Sequence, residues 1–238
     1  MTRPPLFADY LGRVAYEEGL RLQEERVAMV QSGTAPEALF LLEHDPVLTL
    51  GRNARRDHIT ATSGELERLG IRVFECGRGG DVTYHGPGQL VGYPILNLAP
   101  DRKDVWKYVR GLEEAIIRTL GDYGVEAGRF ERLTGVWVGR EKVAAIGVRL
   151  ARWVTSHGFA LNVTTDLGHF DTIVPCGIRS YGVTSLERHL ASPPPLPELG
   201  ARVAMHLALL FDRDLQWASL DRPVTPDGES ATKLRVSA

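Results

Sequence analysis

The sequence predicts an α+β fold, a mixed β-sheet sandwich with flanking helices, and three features of the chain point to it. Strand-like segments come in groups, with helical segments between the groups, instead of strict βα alternation. One segment, 104–123, carries a helical apolar stripe. The length of 238 residues suits one larger domain, expected over 1–217, with 218–238 a loosely ordered tail rich in Pro, Asp, Ser and Gly.

The elements follow in order. A first helix is expected over about Ala15 to Gln31, with Gly33 as its stop signal. Ala38 to Leu42 is a short apolar run before His44-Asp45-Pro46 and reads as a buried strand. Arg52 to His58 is polar and basic, a surface loop. Ser63 to Leu69 can form a short helix closed by Gly70, and Ile71 to Cys76 a strand. Residues 77–88 hold five glycines in twelve positions, a backbone that turns tightly or is approached closely. Gln89 to Leu98 resumes as a strand. The helix over about Asp104 to Tyr123 places Val105, Val109, Leu112, Ile116 and Leu120 on one face, with Asp104 to cap it and Gly124 to end it. Gly135 to Val138, Lys142 to Leu150 and Val154 to Val163 read as strands. Thr184 to Leu190 and Leu196 to Phe211 read as helices, the second entered through Pro193-Pro194-Pro195.

Composition narrows the class. Apolar residues make up 43% and charged residues 24%, an ordinary globular balance that argues against disorder. The net charge of −2 points to no nucleic-acid partner. The two cysteines, Cys76 and Cys176, lie far apart with no CxxC spacing, so neither a zinc site nor a disulfide framework is expected. The N-terminus has no apolar signal core, and no run approaches the roughly 20 apolar residues of a membrane span. A cytoplasmic protein with reduced thiols, without membrane partners, is expected.

Two residue types stand out for chemistry. Cys176 lies in Val174-Pro175-Cys176-Gly177. Proline before it fixes the backbone, and glycine after it permits a sharp turn with room for a substrate. A thiol there can sit beside free backbone N–H groups able to hold an oxyanion; a small buried apolar residue is the other reading. A thiol of free pKa about 8.5 needs a base or a nearby cation to become a nucleophile. Lys142 opens the otherwise apolar strand Lys142-Val143-Ala144-Ala145-Ile146-Gly147-Val148. Drawn into a cleft it can act as that base; at a strand end it can equally reach into water. His85 and His157 sit beside glycines and suit substrate orientation, assistance to the thiol, or a structural role. Cys76 ends a strand and carries no expected chemistry. The glycine-rich segment has neither the P-loop ending nor the dinucleotide fingerprint. It suits a tight hairpin, or one wall of an apolar slot for an extended acyl chain.

Four segments taken together resemble a known family. Arg78-Gly79-Gly80-Asp81-Val82-Thr83-Tyr84-His85-Gly86-Pro87-Gly88-Gln89-Leu90 resembles the signature of the bacterial lipoyl(octanoyl) transferases. Lys142 to Gly147 resembles their lysine strand. His157 to Asn162 and Ile173 to Ile178 resemble two further blocks, in the same order. The resemblance spans about residues 38 to 190. It implies the biotin/lipoate protein ligase catalytic-domain fold, which is class II aminoacyl-tRNA synthetase/biotin synthetase-like. It also implies transfer of octanoyl from acyl carrier protein to a lysine on the lipoyl domains of 2-oxoacid dehydrogenases or on the glycine cleavage H protein. Cys176 then carries the thioester and Lys142 activates it, with no cofactor. Substrate contacts fall on Arg78, Gly79, Gly80, Asp81, Val82, Thr83, Tyr84 and His85, on Ala145, Ile146 and Gly147, and on Gly158, Phe159 and Ala160. Between Arg129 and Arg152 six basic residues face two acidic ones, and Arg52, Arg55 and Arg56 add a second cluster, either of which can steer an acidic carrier. A monomer is expected. Two rival readings remain: an ATP-dependent lipoate or biotin ligase of the same fold, and a non-catalytic fatty-acyl binding protein.

Overall fold

The chain opens in a strand that its sequence does not announce. In the computed structural model, which describes residues 3–99, 103–131, 133–174 and 181–218, β1 (Pro5–Val14) turns Leu6 and Ala8 into the core and bends at a register shift between Tyr10 and Arg13. Cys176 and the 219–238 tail lie outside the described residues.

Helix α1 (Tyr16–Ser32) follows and stops at Gly33, whose φ of 73° is left-handed. Strand β2 (Glu37–His44) pairs with β1 in parallel and with β6 (Gln89–Ile95) in antiparallel fashion. Its alternation serves two layers. Leu39 and Leu41 face a core shared with α3 (Val105–Asp122) and α4 (Leu196–Phe211), while Ala38, Phe40 and Leu42 face α1. Helices therefore cover the sheet on both sides. Asp104 caps α3 by accepting from Lys107 N at 3.0 Å, as its side chain suits it to do.

The large sheet runs in the order β12-β1-β2-β6-β10-β9-β8-β7, with β11 beside β9. Here β7 is Gly128–Phe130, β8 Leu133–Val138, β9 Glu141–Ala151, β10 Val154–Asn162, β11 Gly182–Val183 and β12 Asp214–Trp217. The β9–β10 hairpin closes on Arg152 and Trp153 with φ of 50° and 66°. Positive φ at both residues matches the I′ turn that follows strand twist. A small sheet, β4-β3-β5, joins β3 (Val47–Leu50), β4 (Arg72–Glu75) and β5 (Val82–His85) over its own core of Leu48, Leu66, Ile71, Tyr84 and Phe170. The helix α2 (Ser63–Arg68) closes that core from a full capping box between Thr62 and Glu65.

One helix expectation is corrected. Thr184 to Leu190 is not a helix but the exit of β11 followed by a 3-10 turn over Leu186–Arg188. Thr184 N donates to Lys142 O at 3.0 Å, and Asn162 Nδ2 donates to Thr184 O at 3.0 Å, so its backbone groups are taken by neighbouring strands. Arg52 to His58 ends in a 3-10 turn, Arg56–His58.

Candidate functional site

The glycine-rich segment folds back onto β9. Gly79 N donates to Val148 O at 2.8 Å, and a Cβ on Gly147 would stand 2.9 Å from Gly79 O, so only glycine allows this approach. Between them opens a cavity of about 660 Å³. Arg78 to Thr83 and His85 form one wall; Ala145 to Gly147 and Gly158 to Ala160 form the other. Lys142 stands at its edge, Tyr16, Tyr93 and His157 also line it, and Val105, Trp106 and Leu133 form an apolar lip. Trp106 is 60% exposed there.

Tyr84 is the exception among the residues singled out in the sequence. Alternation along β5 turns it to the other face, where it is 1% exposed and its hydroxyl bonds His169 Nδ1 at 2.8 Å. Burial and the Asp166 charge raise its phenol to about 12.

Arg78 is held by neutral oxygens. Its guanidinium donates to Thr49 O at 2.6 Å, to Thr49 Oγ1 at 2.8 Å and to Gly79 O at 3.2 Å, with the side chain nearly buried. A relay continues from Thr49. Gln89 Nε2 donates to Tyr84 O and to Asn162 Oδ1, which leaves Gln89 Oε1 to accept from His85 Nδ1 at 2.8 Å. His85 Nε2 is then an acceptor, and Thr49 Oγ1 reaches it at 3.3 Å. Burial, together with the nearby His44 and Arg78 charges, pushes His85 down to about 3, so it stays neutral. It orients its neighbours and is poorly suited to proton transfer at neutral pH.

His157 enters the cavity through a backbone turn. Its φ is 54° in the middle of β10, and its N–H is caught by Gln23 Oε1 at 2.7 Å instead of by a strand. Burial first, then the Arg78 and Arg149 charges, push its imidazole down to about 4. His44, fully buried, donates from Nδ1 to Val14 O at 2.7 Å and accepts at Nε2 from the Tyr93 hydroxyl at 2.7 Å. Burial holds it near 4 as well.

Lys142 leaves β9 beside β8. Its Nζ lies 4.8 Å from the centre of the Trp137 ring, a cation–π contact. Its aliphatic stem passes Gly135, where a Cβ would stand 3.2 Å from Cε. Val183 of β11 pairs with it, and it also borders a small hollow of about 30 Å³ floored by Gln89, Asn162 and Phe170. The chain on either side of the 175–180 segment is fixed near the cavity. Val174 N donates to His58 O at 2.7 Å, and Gly182 and Val183 pair with Glu141 and Lys142.

The basic clusters read from the sequence are partly neutralised. Arg55 pairs with Asp57, Arg56 with Glu75, and Arg129 with Glu113 and Glu114. Tyr16 and Tyr93 were invisible as site residues, because nothing local marks them; a helix start and a strand 77 residues apart bring them together. Among the described residues no cluster of His, Cys, Asp and Glu has the makings of a metal site, and no helix among them is long and apolar enough to cross a membrane.

Residues 15–208 match the lipoyl protein ligase A/B catalytic domain family. An octanoyltransferase of Solibacter usitatus is 57% identical over 205 residues, covering 86% of this chain and 92% of that one. One of Caldicellulosiruptor bescii is 48% identical over 208 residues, covering 87% and 91%. Among solved structures, lipoate-protein ligase A bound with ATP superposes with a TM-score of 0.72 at 16% identity, covering 91% of this chain and 88% of that one. A bipartite lipoate protein ligase from Thermoplasma acidophilum gives 0.71 at 16%, covering 91% and 87%. A biotin protein ligase from Aquifex aeolicus gives 0.53 at 12%, covering 87% and 70%. The distant structures establish the shared fold, the sequence relatives establish kinship, and the chain belongs to the lipoyl protein ligase A/B catalytic domain family, on its octanoyltransferase branch.

Proposed function

We propose that the protein is an acyltransferase that moves an octanoyl or lipoyl group from acyl carrier protein to a lysine of a lipoyl domain, through a thioester on Cys176. The observation that carries this reading is the cavity itself. It is walled by glycine backbone and apolar side chains, bordered by Lys142, and flanked by both ends of the segment that contains Cys176. The octanoyl class comes from relatives named octanoyltransferases. The lipoyl-domain acceptor is supported by the archaeal ligase, which is described with its E2 lipoyl domain as one lipoylation system.

Lys142 takes the proton from the Cys176 thiol, and the thiolate adds to the donor's thioester carbonyl. The tetrahedral intermediate collapses and expels the carrier thiolate, which regains a proton. One thioester replaces another, so this step is nearly balanced. The acceptor lysine, as free amine, then attacks the acyl-enzyme. The Cys176 thiolate leaves, the amine's extra proton passes to Lys142, and an amide remains. Thioester to amide is downhill, so no nucleotide is consumed. The protein works as a cytoplasmic monomer.

Purified protein incubated with octanoyl-acyl carrier protein should gain the mass of one acyl group that hydroxylamine removes. Cys176→Ala should gain none, and Lys142→Ala should gain it slowly. Transfer by Cys176→Ala at the wild-type rate sinks the proposal. Kinship of fold with an ATP-bound ligase keeps one rival in view. Free octanoate plus ATP should yield no product here; an adenylate would favour the ligase.

A further inference from the structure

Asp81 sits in the cavity wall, yet both of its carboxylate oxygens are engaged within the protein. Oδ1 accepts from Val82 N at 2.7 Å, and Oδ2 meets His58 Nδ1 at 2.5 Å. The His58 and Asp81 side chains are largely buried, at 21% and 13% exposure respectively, so the contact is shielded from competing water. His58 is also joined to the other side of the site. Its carbonyl accepts from Val174 N at 2.7 Å, Ile59 bridges Ile173, and Thr60 N donates to Thr172 O at 2.9 Å. Thr60 Oγ1 adds a bond to Asp171 O at 2.9 Å. Residues 58–60 thus form a rail along 171–174, and Cys176 follows two positions after the rail ends. Asp81 in turn is pinned to the small sheet, because its carbonyl accepts from Gly51 N at 3.3 Å.

We infer that Asp81 and His58 are positioning residues, a polar strut that fixes the rail leading to Cys176 against the acyl-binding wall. Asp81 then acts on the chain and not on the substrate. The inference rests on the octanoyl-transfer reading of the same site. Its physical sense is that a nucleophile on a short segment needs its approach geometry set by the chain before it, and a misplacement of about 1 Å can cost up to a hundredfold in rate.

The test compares His58→Leu, which removes the donor, with His58→Gln, which keeps one. At saturating octanoyl-acyl carrier protein, His58→Leu should form acyl-enzyme about tenfold more slowly while KM for the donor moves less than about twofold. His58→Gln should recover most of that rate. Equal acylation by His58→Leu and wild type, or a loss seen only in KM, overturns the inference. Should His58→Leu not fold, Asp81→Asn takes its place, with a loss of about threefold expected from exchanging a charge-assisted bond for a neutral one; no loss overturns the inference. If wild-type protein forms no thioester at all, the octanoyl reading fails by itself. The strut is then judged by the rate at which iodoacetamide alkylates Cys176, read by peptide mass. A fall of about tenfold in His58→Leu supports it, and an unchanged rate refutes it.

Discussion

Gly135→Ala separates the stability of the site from its chemistry. Gly135 lies in β8 with φ of 129°, a conformation that costs an L-residue about 1–3 kcal/mol. The added Cβ would stand 2.7 Å from Ala144 O, backbone of the paired strand, which cannot swing away as a side chain would. Retreat of β8 is also opposed. Gly135 N donates to Glu113 Oε1 at 3.0 Å, and Glu113 is 1% exposed and tied to Arg110 and Arg129. Overpacking of this kind costs about 1–3 kcal/mol more. For a chain of this size, the combined loss corresponds to an unfolding midpoint lowered by roughly 5–15 °C. The same Cβ stands 3.2 Å from Lys142 Cε and 3.4 Å from Cδ. That side chain can yield, but only by moving Nζ from the Trp137 face. Acyl-enzyme formation should therefore fall about tenfold or more at a temperature where the variant is fully folded. Gly139→Ala is the control: φ is 57° with nothing within 4 Å of the new Cβ, so it should lose some stability and no rate. Thermal unfolding and stopped-flow acylation read the two quantities. A Gly135→Ala midpoint within about 2 °C of wild type, with unchanged acylation, would refute the packing argument.

Gln23→Leu removes the acceptor of the His157 N–H, orphaning a buried donor at a cost of about 1–3 kcal/mol; an unfolding midpoint that does not move would count against the strained turn at His157. Thr49→Val keeps volume but takes Oγ1 from both Arg78 and His85, and should lower kcat more than stability; wild-type kcat would show that the relay orients nothing. Acidification tests the buried histidines. Their folded values of about 4, 3 and 4 lie below the unfolded value of about 6.5, so between those limits the unfolded chain binds more protons. Stability should be fully present above about pH 6.5 and fall as pH drops toward 4, by as much as about 3 kcal/mol for a single site. Chemical denaturation at pH 7 and pH 4.5 measures this, and equal stabilities would mean that the imidazoles are not held neutral.

What could be read from the chain alone had local causes. The Leu112, Ile116 and Leu120 part of the α3 stripe, the Asp104 cap and the left-handed glycine that ends α1 are fixed by short-range sterics and hydrogen bonding and appear where the sequence puts them, while Val105 and Val109 of the same stripe line the cavity instead. The run that became β2 was legible because both faces of that central strand are buried and Ala38 to Leu42 is continuously apolar, whereas β9 is mostly half-buried and was legible from its short apolar stretch Val143 to Val148. The edge strands of the large sheet were not legible, although β4, at the edge of the small sheet, was. β7 and β12 are short, half-exposed and held by one neighbour each, and β1 breaks its alternation at a bulge. The β9–β10 hairpin turns on Arg152-Trp153, without the Asn-Gly signal that normally marks such a turn. The 184–190 segment has helical composition, but its backbone groups are claimed by β9 and β10, and no local pattern reports a partner forty residues away.

The sequence by itself determined the family, the order of its sequence blocks and the residue types on the cavity walls, because glycines that must admit a close approach and a lysine within an apolar strand are visible as letters. Only the tertiary structure decided which of those side chains face the cavity. It turned Tyr84 away by strand alternation, consumed both Asp81 oxygens inside the protein, locked His85 as a neutral hydrogen-bonding group, set His157 on the cavity, and brought in Tyr16 and Tyr93. Each of these depends on which atom of a distant segment arrives within 3 Å, and a linear order of residues carries no such distance.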